Sequence, residues 1–172
     1  MSTITIQALT AQSPYLAGAM HVYRDYTNFS ADYTRQFFDE FLAREDFMGL
    51  VALGRDQAQV RVVGMGFGVA ARPQDWWTRT VARRVGATHP ALQDAWILTQ
   101  LNVLRGWRSR GIGGRLHDEI IQTQPYPRLL LSTQVHNHAA QRFYQQRGWT
   151  YLHSGFAFFE GDIAYAIMRR DA

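Results

Sequence analysis

The 172-residue sequence has no cysteine, which excludes disulfides, thiolate metal sites and a cysteine nucleophile. It has no lysine either, since all eighteen basic residues are arginine. A phosphate-binding Gly-Lys-Ser/Thr loop is therefore excluded. No stretch approaches the roughly 20 apolar residues of a membrane-spanning helix. The opening Met1-Ser2-Thr3-Ile4-Thr5-Ile6 also lacks the basic segment and apolar core of a secretion signal. The cytoplasm is the expected location, with no membrane partner. A long basic run is missing too: the net charge of +4 and pI of about 9.8 arise from arginines scattered among acids. Charge alone is thus weak support for a nucleic-acid partner, and none is expected.

What is present is a one-domain length with an aromatic share of 13%, enough to bury a sizeable core. Thr3 to Leu9 alternates as a first strand. Ser13-Pro14 marks a helix start, with Leu16, Met20 and Tyr23 on one face to about Tyr23. Asp32 opens a second helix with the apolar stripe Phe37, Phe38, Phe41 and Leu42. Phe47 to Leu53 and Val60 to Ala71 form a hairpin around Gly54-Arg55-Asp56-Gln57. Gly64-Met65-Gly66-Phe67-Gly68, inside that second strand, looks like a dinucleotide-binding loop but fails as one, because the third glycine is misplaced and no helix follows. Alternate glycines there point instead to close approach by a neighbouring backbone or a bulky side chain.

Arg72 to Asp94 is longer than an ordinary connection and holds a short helical piece through Val81 and Val85. Insertions of this length often carry specificity. Its Trp76 and Trp77 would cover a core edge, make a dimer contact or wall an acceptor pocket. Trp149 to Phe159 and Ile163 to Arg169 read as two closing strands around Glu160-Gly161-Asp162.

The chain is organised around Trp96 to Thr123. An apolar strand (Trp96, Ile97, Leu98, Leu101, Val103, Leu104) runs into Arg108-Ser109-Arg110-Gly111-Ile112-Gly113-Gly114, and Ile112, Leu116 and Ile120 then give one apolar helical face. The first turn of a helix leaves N–H groups unpaired at the positive end of its dipole, so it attracts phosphate. Glycines let the backbone come close, and Arg108 and Arg110 add forked donors. A second strand, Leu129 to Thr133, leads into Asn137-His138-Ala139-Ala140-Gln141-Arg142-Phe143-Tyr144. Asn137 is the expected N-cap and Gly148 the expected stop.

Arg108-x-x-Gly111-x-Gly113, followed by Asn137-x-x-Ala140-x-x-Phe143-Tyr144 and Gly148-Trp149, resembles the GNAT superfamily of acyl-coenzyme A dependent N-acyltransferases. The resemblance covers Trp96 to Arg169. It implies an α+β fold: a mixed, mostly antiparallel central sheet of about seven strands, about four flanking helices, and one domain over 1–172. It also implies acetyl-CoA as co-substrate, with a splayed gap between Leu101–Leu104 and Leu130–Thr133 admitting the pantetheine arm.

Under that resemblance Arg108, Ser109, Arg110, Gly111, Ile112, Gly113 and Gly114 hold the pyrophosphate. The backbone of Leu101 and Val103 pairs with pantetheine, and Asn137, with Ala140 and Phe143 beside it, reaches the same arm. Tyr144 is the general acid for the departing thiolate, since a phenol of reference pKa about 10 stays protonated near neutrality. Its bland alternative is a core tyrosine.

The general base is unassigned. Many relatives carry a glutamate in the strand before the turn, where this chain has Gln100 and Asn102. Asp94, Glu160, His136 and His153 are the candidates. His136-x-His138, without carboxylate or cysteine company, is no metal site.

The expected function is acetyl transfer to a primary amine, on a small molecule or peptide, by direct attack in a ternary complex. A catalytically weak acyl-CoA-binding module and a basic nucleic-acid binder are the alternatives. Dimers are frequent among such proteins. In a chain without lysine, an acetyl group on the protein itself would have to sit at its N-terminus.

Overall fold

The computed structural model describes residues 4–56 and 59–172. It has seven strands, in sheet order β1-β2-β3-β4-β5-β7-β6, and five α-helices. Its residues fall into two compact units: the described residues up to Val69 with Thr99–Gln124, and Ala70–Leu98 with Pro125–Ala172.

In the first unit β1 (Thr5–Ala8) pairs antiparallel with β2 (Met48–Asp56), which pairs antiparallel with β3 (Gln59–Ala70). Gly54, Arg55 and Asp56, expected in the turn, extend β2 instead: past a register shift at Ala52/Leu53 the ladder runs on to Asp56↔Gln59. Gln57 and Thr3 lie outside the described residues. Close approach explains the alternate glycines of β3. A Cβ on Gly64 would stand 3.0 Å from Leu116 and 3.3 Å from the Asn102 carbonyl, and one on Gly66 would stand 3.3 Å from the Gln100 carbonyl.

Ser13-Pro14 forms a turn ahead of α1 (Leu16–Thr27), in which the Tyr15 N–H donates to the Ser13 hydroxyl. The helix continues a full turn past Tyr23, to a left-handed Asn28. Ser30 caps α2 (Ala31–Leu42) by accepting from the Tyr33 N–H. The expected stripe of α2 packs as aromatic core: Phe38 and Phe67 are fully buried, and Phe67 lies 5.5 Å from both Phe38 and Phe41. Tyr23 stacks on Phe37 at 4.8 Å and 8°. Ile112 and Leu116 of α4 (Ile112–Thr123) close the same cluster.

In the second unit α3 (Trp76–Val85) gives the insertion its helix, and Pro90–Leu92 forms one turn of 3₁₀. The first residues of β4 (Ala95–Val103) pair in parallel with β5 (Arg128–Gln134), from Ala95↔Arg128 to Ile97↔Leu130. β7 (Ala164–Asp171) lies between β5 and β6 (Thr150–Ala157), antiparallel to both. Val81, Leu92, Ile97, Leu130, Phe156 and Ile167 form the core. Trp77 packs against that core, and its indole N–H lies 3.4 Å from the Ser132 hydroxyl. Trp76 is 46% exposed and stacks on Phe159 at 5.1 Å.

Candidate active site

The arginine-glycine turn lies in the first unit, where Leu104 and Trp107 are buried and anchor a short 3₁₀ turn, Arg105–Trp107, after β4. Beyond it the chain reverses through two residues of left-handed backbone, Ser109 at φ 59° and Gly111 at φ 76°. Gly111 is the N-cap of α4, and a Cβ there would meet nothing within 4 Å. A side chain at 111 is therefore opposed by the backbone conformation, at roughly 1–2 kcal/mol, and not by crowding. The first helical hydrogen bond runs from the Arg115 N–H to the Gly111 carbonyl at 3.0 Å. The N–H groups of Ile112, Gly113 and Gly114 come before that bond, at the positive end of the helix.

The arginines are partly tied down. The Arg108 Nε–H donates to the Val103 carbonyl at 3.0 Å, and an Arg110 NH2 hydrogen donates to the Gly106 carbonyl at 3.0 Å. The Arg110 guanidinium also covers Trp107, 4.8 Å from its ring. Each bond leaves most of the guanidinium's five donors spare. Residues 105–111 contain no acidic side chain, and although the Arg105 N–H donates to the Asp25 carboxylate at 3.3 Å, three arginines against that one carboxylate leave the turn cationic. On β4, Leu101 and Val103 are half-buried. The Val103 carbonyl is committed to Arg108, which leaves less of that residue's backbone for a ligand than the sequence suggested. Between them the Asn102 amide donates to the Gln100 side-chain oxygen at 2.9 Å. Two amides bonded to each other occupy the place where a strand carboxylate was sought, and neither accepts a proton near neutral pH.

The second constellation lies in the second unit, on α5 (His138–Gln145). Asn137 caps this helix, its Oδ1 accepting from the Ala140 N–H at 3.1 Å. Its side-chain NH2 is the group left for a ligand. Ala140, Phe143 and Tyr144 are all half-buried. Tyr144 packs edge-on against both Phe143 and Trp149, at 5.2 and 5.8 Å, which fixes the ring. The far side of Phe143 carries the Arg147 guanidinium, 4.0 Å from its centroid.

Gln141 was not foreseen. It is 9% exposed, its amide donates to the Gln134 and Val135 carbonyls at 3.0 and 2.6 Å, and its oxygen accepts from the Tyr151 hydroxyl at 2.6 Å. It joins α5 to the end of β5 and to β6. Only its place on the inward side of a short helix hinted at this.

The base candidates separate clearly. His136 and Glu160 are exposed, and the His153 Nδ1 accepts from the Gly155 N–H at 3.1 Å. Asp94 is exposed in left-handed backbone at φ 46° and lines a cavity beside α3. Among the described residues no three His, Asp or Glu side chains gather into a metal-holding group.

Known proteins with the same architecture come from distant branches. Arabidopsis thaliana NAA60, solved in complex with a bisubstrate analogue, superposes with a TM-score of 0.71 at 16% identity over 99% of both chains. The ribosomal-protein-S18-alanine N-acetyltransferase of Escherichia coli gives 0.68 at 15% identity, over 98% of this chain and 94% of that one. A GNAT family acetyltransferase from Elizabethkingia anophelis with acetyl-CoA bound gives 0.59 at 15% identity, over 98% of each. Among curated proteins none matches. At such identities the superpositions speak for the fold. The sequence model of the acetyltransferase (GNAT) family matches residues 16–149, a span that contains both the arginine-glycine turn and α5. On that match, the chain belongs to the acetyltransferase (GNAT) family.

Proposed function

We propose that the protein transfers the acetyl group of acetyl-CoA to a primary amine of a small molecule or peptide, by direct attack within a ternary complex. The observation that carries this is the bare, cationic entry to α4: left-handed Gly111 with open space at its Cβ position, followed by three N–H groups before the first helical bond. Such a cradle fits a pyrophosphate. Acetyl-CoA supplies an activated thioester; the remaining roles belong to the chain.

In this reading Arg108 and Arg110 pair with phosphate oxygens, together with Ser109 and the backbone from Gly111 to Gly114. The backbone of Leu101, and what remains free on Val103, aligns the extended arm. The Asn137 side-chain NH2 donates to the same arm beside Ala140 and Phe143. Tyr144, with its ring fixed on two sides, donates its phenolic proton to the leaving sulfur. Water accepts the amine's proton, because the side-chain amides of Gln100 and Asn102 are not bases near neutral pH. Residues 1–172 act as one acetyltransferase domain, with Arg72 to Asp94 contributing specificity.

The amide pair also favours one second reading, an acyl-CoA-binding module of little turnover. Thiol release from acetyl-CoA, measured against a panel of free-N-terminus peptides and small primary amines, separates the two. The enzyme reading predicts turnover with at least one acceptor. It also predicts that Tyr144→Phe loses about 100-fold or more in kcat while acetyl-CoA affinity is unchanged. Equal kcat in the variant contradicts the role of Tyr144; intact binding without turnover on any amine selects the binding module.

A further inference from the structure

The second unit holds a cavity of about 560 Å³ between α3, the end of β3 and the approach to β4. That volume falls within the range of roughly 300–1,000 Å³ typical of small-molecule sites. No residue assigned above to acetyl-CoA lines it. Its body is small and apolar, made by Ala70, Ala71, Ala82, Leu92 and Ala95, whereas Arg72, Arg79, Arg83 and Asp94 supply charge. Arg79 and Arg83 are four residues apart on α3, hence on one face. Both are exposed, and among the described residues neither guanidinium has a partner. Thr78, at 4% exposure, also lines the cavity.

An anionic ligand satisfies the two guanidinium forks. Alanine and leucine walls suit an apolar body. A bare phosphate would leave them wet, and a neutral apolar molecule would leave the arginines unused. Arg79 and Arg83 against the single Asp94 carboxylate favour an anion. The left-handed backbone of Asp94, a non-glycine residue, is strain of the kind that collects at ligand sites.

We propose that this cavity is a second ligand site, which takes an organic carboxylate with a compact apolar body, its carboxylate between Arg79 and Arg83. Calorimetric titration of the full chain with 1-naphthoate, 1-naphthamide and inorganic phosphate, with and without acetyl-CoA, tests it. Naphthoate is expected to bind saturably at one site, equally well with acetyl-CoA present, and about tenfold or more tighter than naphthamide or phosphate.

The paired substitution Arg79→Ala/Arg83→Ala removes two exposed side chains and is expected to leave the circular dichroism spectrum unchanged while cutting naphthoate affinity about tenfold or more. Ala82→Trp should fill the cavity and abolish binding. Absence of saturable naphthoate binding overturns the proposal. So does equal affinity for naphthamide or phosphate, displacement by acetyl-CoA, or unchanged affinity in the folded double-arginine variant.

Discussion

Tyr23 shows how one buried group couples this fold to pH. It is 3% exposed and stacked on Phe37. Burial, helped by the nearby Tyr33 hydroxyl, pushes its phenol well above the ordinary tyrosine range. The folded protein therefore keeps a proton that the unfolded chain gives up near pH 10. The associated stability is complete below that pH and declines as pH rises toward the raised folded value. Urea unfolding between pH 9 and pH 11 should show a loss of about 1 kcal/mol that is absent in Tyr23→Phe. Identical pH slopes for the two proteins would contradict it. Nothing in the local sequence announces this, because the stacking depends on a helix that begins eight residues after Tyr23. Gly111 is the opposite case: the arginine-glycine pattern marked it, and its left-handed backbone supplies the reason.

Among elements, α5 depends most on a residue the sequence hid. Gln141 satisfies two carbonyls and the Tyr151 hydroxyl, and its removal leaves all three without this partner. Gln141→Ala should cost about 2–3 kcal/mol in denaturant unfolding; a change below about 0.5 kcal/mol would show that water replaces the amide freely. The N-cap of the same helix was legible, since Asn137 precedes a helical pattern and caps act within four residues. The stripes of α2 and α4 were legible for the same local reason. Less so was α1, where Ser13-Pro14 met the rule for a helix start but formed the turn before it. The β2–β3 turn was misplaced because Gly54, Arg55 and Asp56 are turn-type residues that here pair on to Asp56↔Gln59, and local preference does not show where a ladder ends. In the insertion, helical spacing revealed α3. It could not reveal that Arg79 and Arg83 line one cavity with Ala70 of β3 and Ala95 of β4, a grouping that only the fold creates.

At the scale of the molecule, seven strands among the described residues realise the expected mixed sheet, with five α-helices where about four were expected, and one family model spans most of the chain. That much followed from two local motifs in a fixed order, each after a strand. The acceptor did not follow, because its recognition depends on surfaces assembled from distant segments. Among the described residues no helix is long and apolar enough to cross a membrane.

The central claim is that the turn from Arg108 to Gly114 holds acetyl-CoA through its phosphates. Calorimetric titration with acetyl-CoA at physiological salt, with ATP as the polyanion control and Gly111→Glu as the variant, tests it most directly. One saturable site that ATP does not mimic is predicted, weakened about 100-fold or more in a variant with an unchanged circular dichroism spectrum, because an added carboxylate would stand where phosphate binds and strain the left-handed backbone. Equal weak binding of both nucleotides, or undiminished affinity in the folded variant, would contradict it.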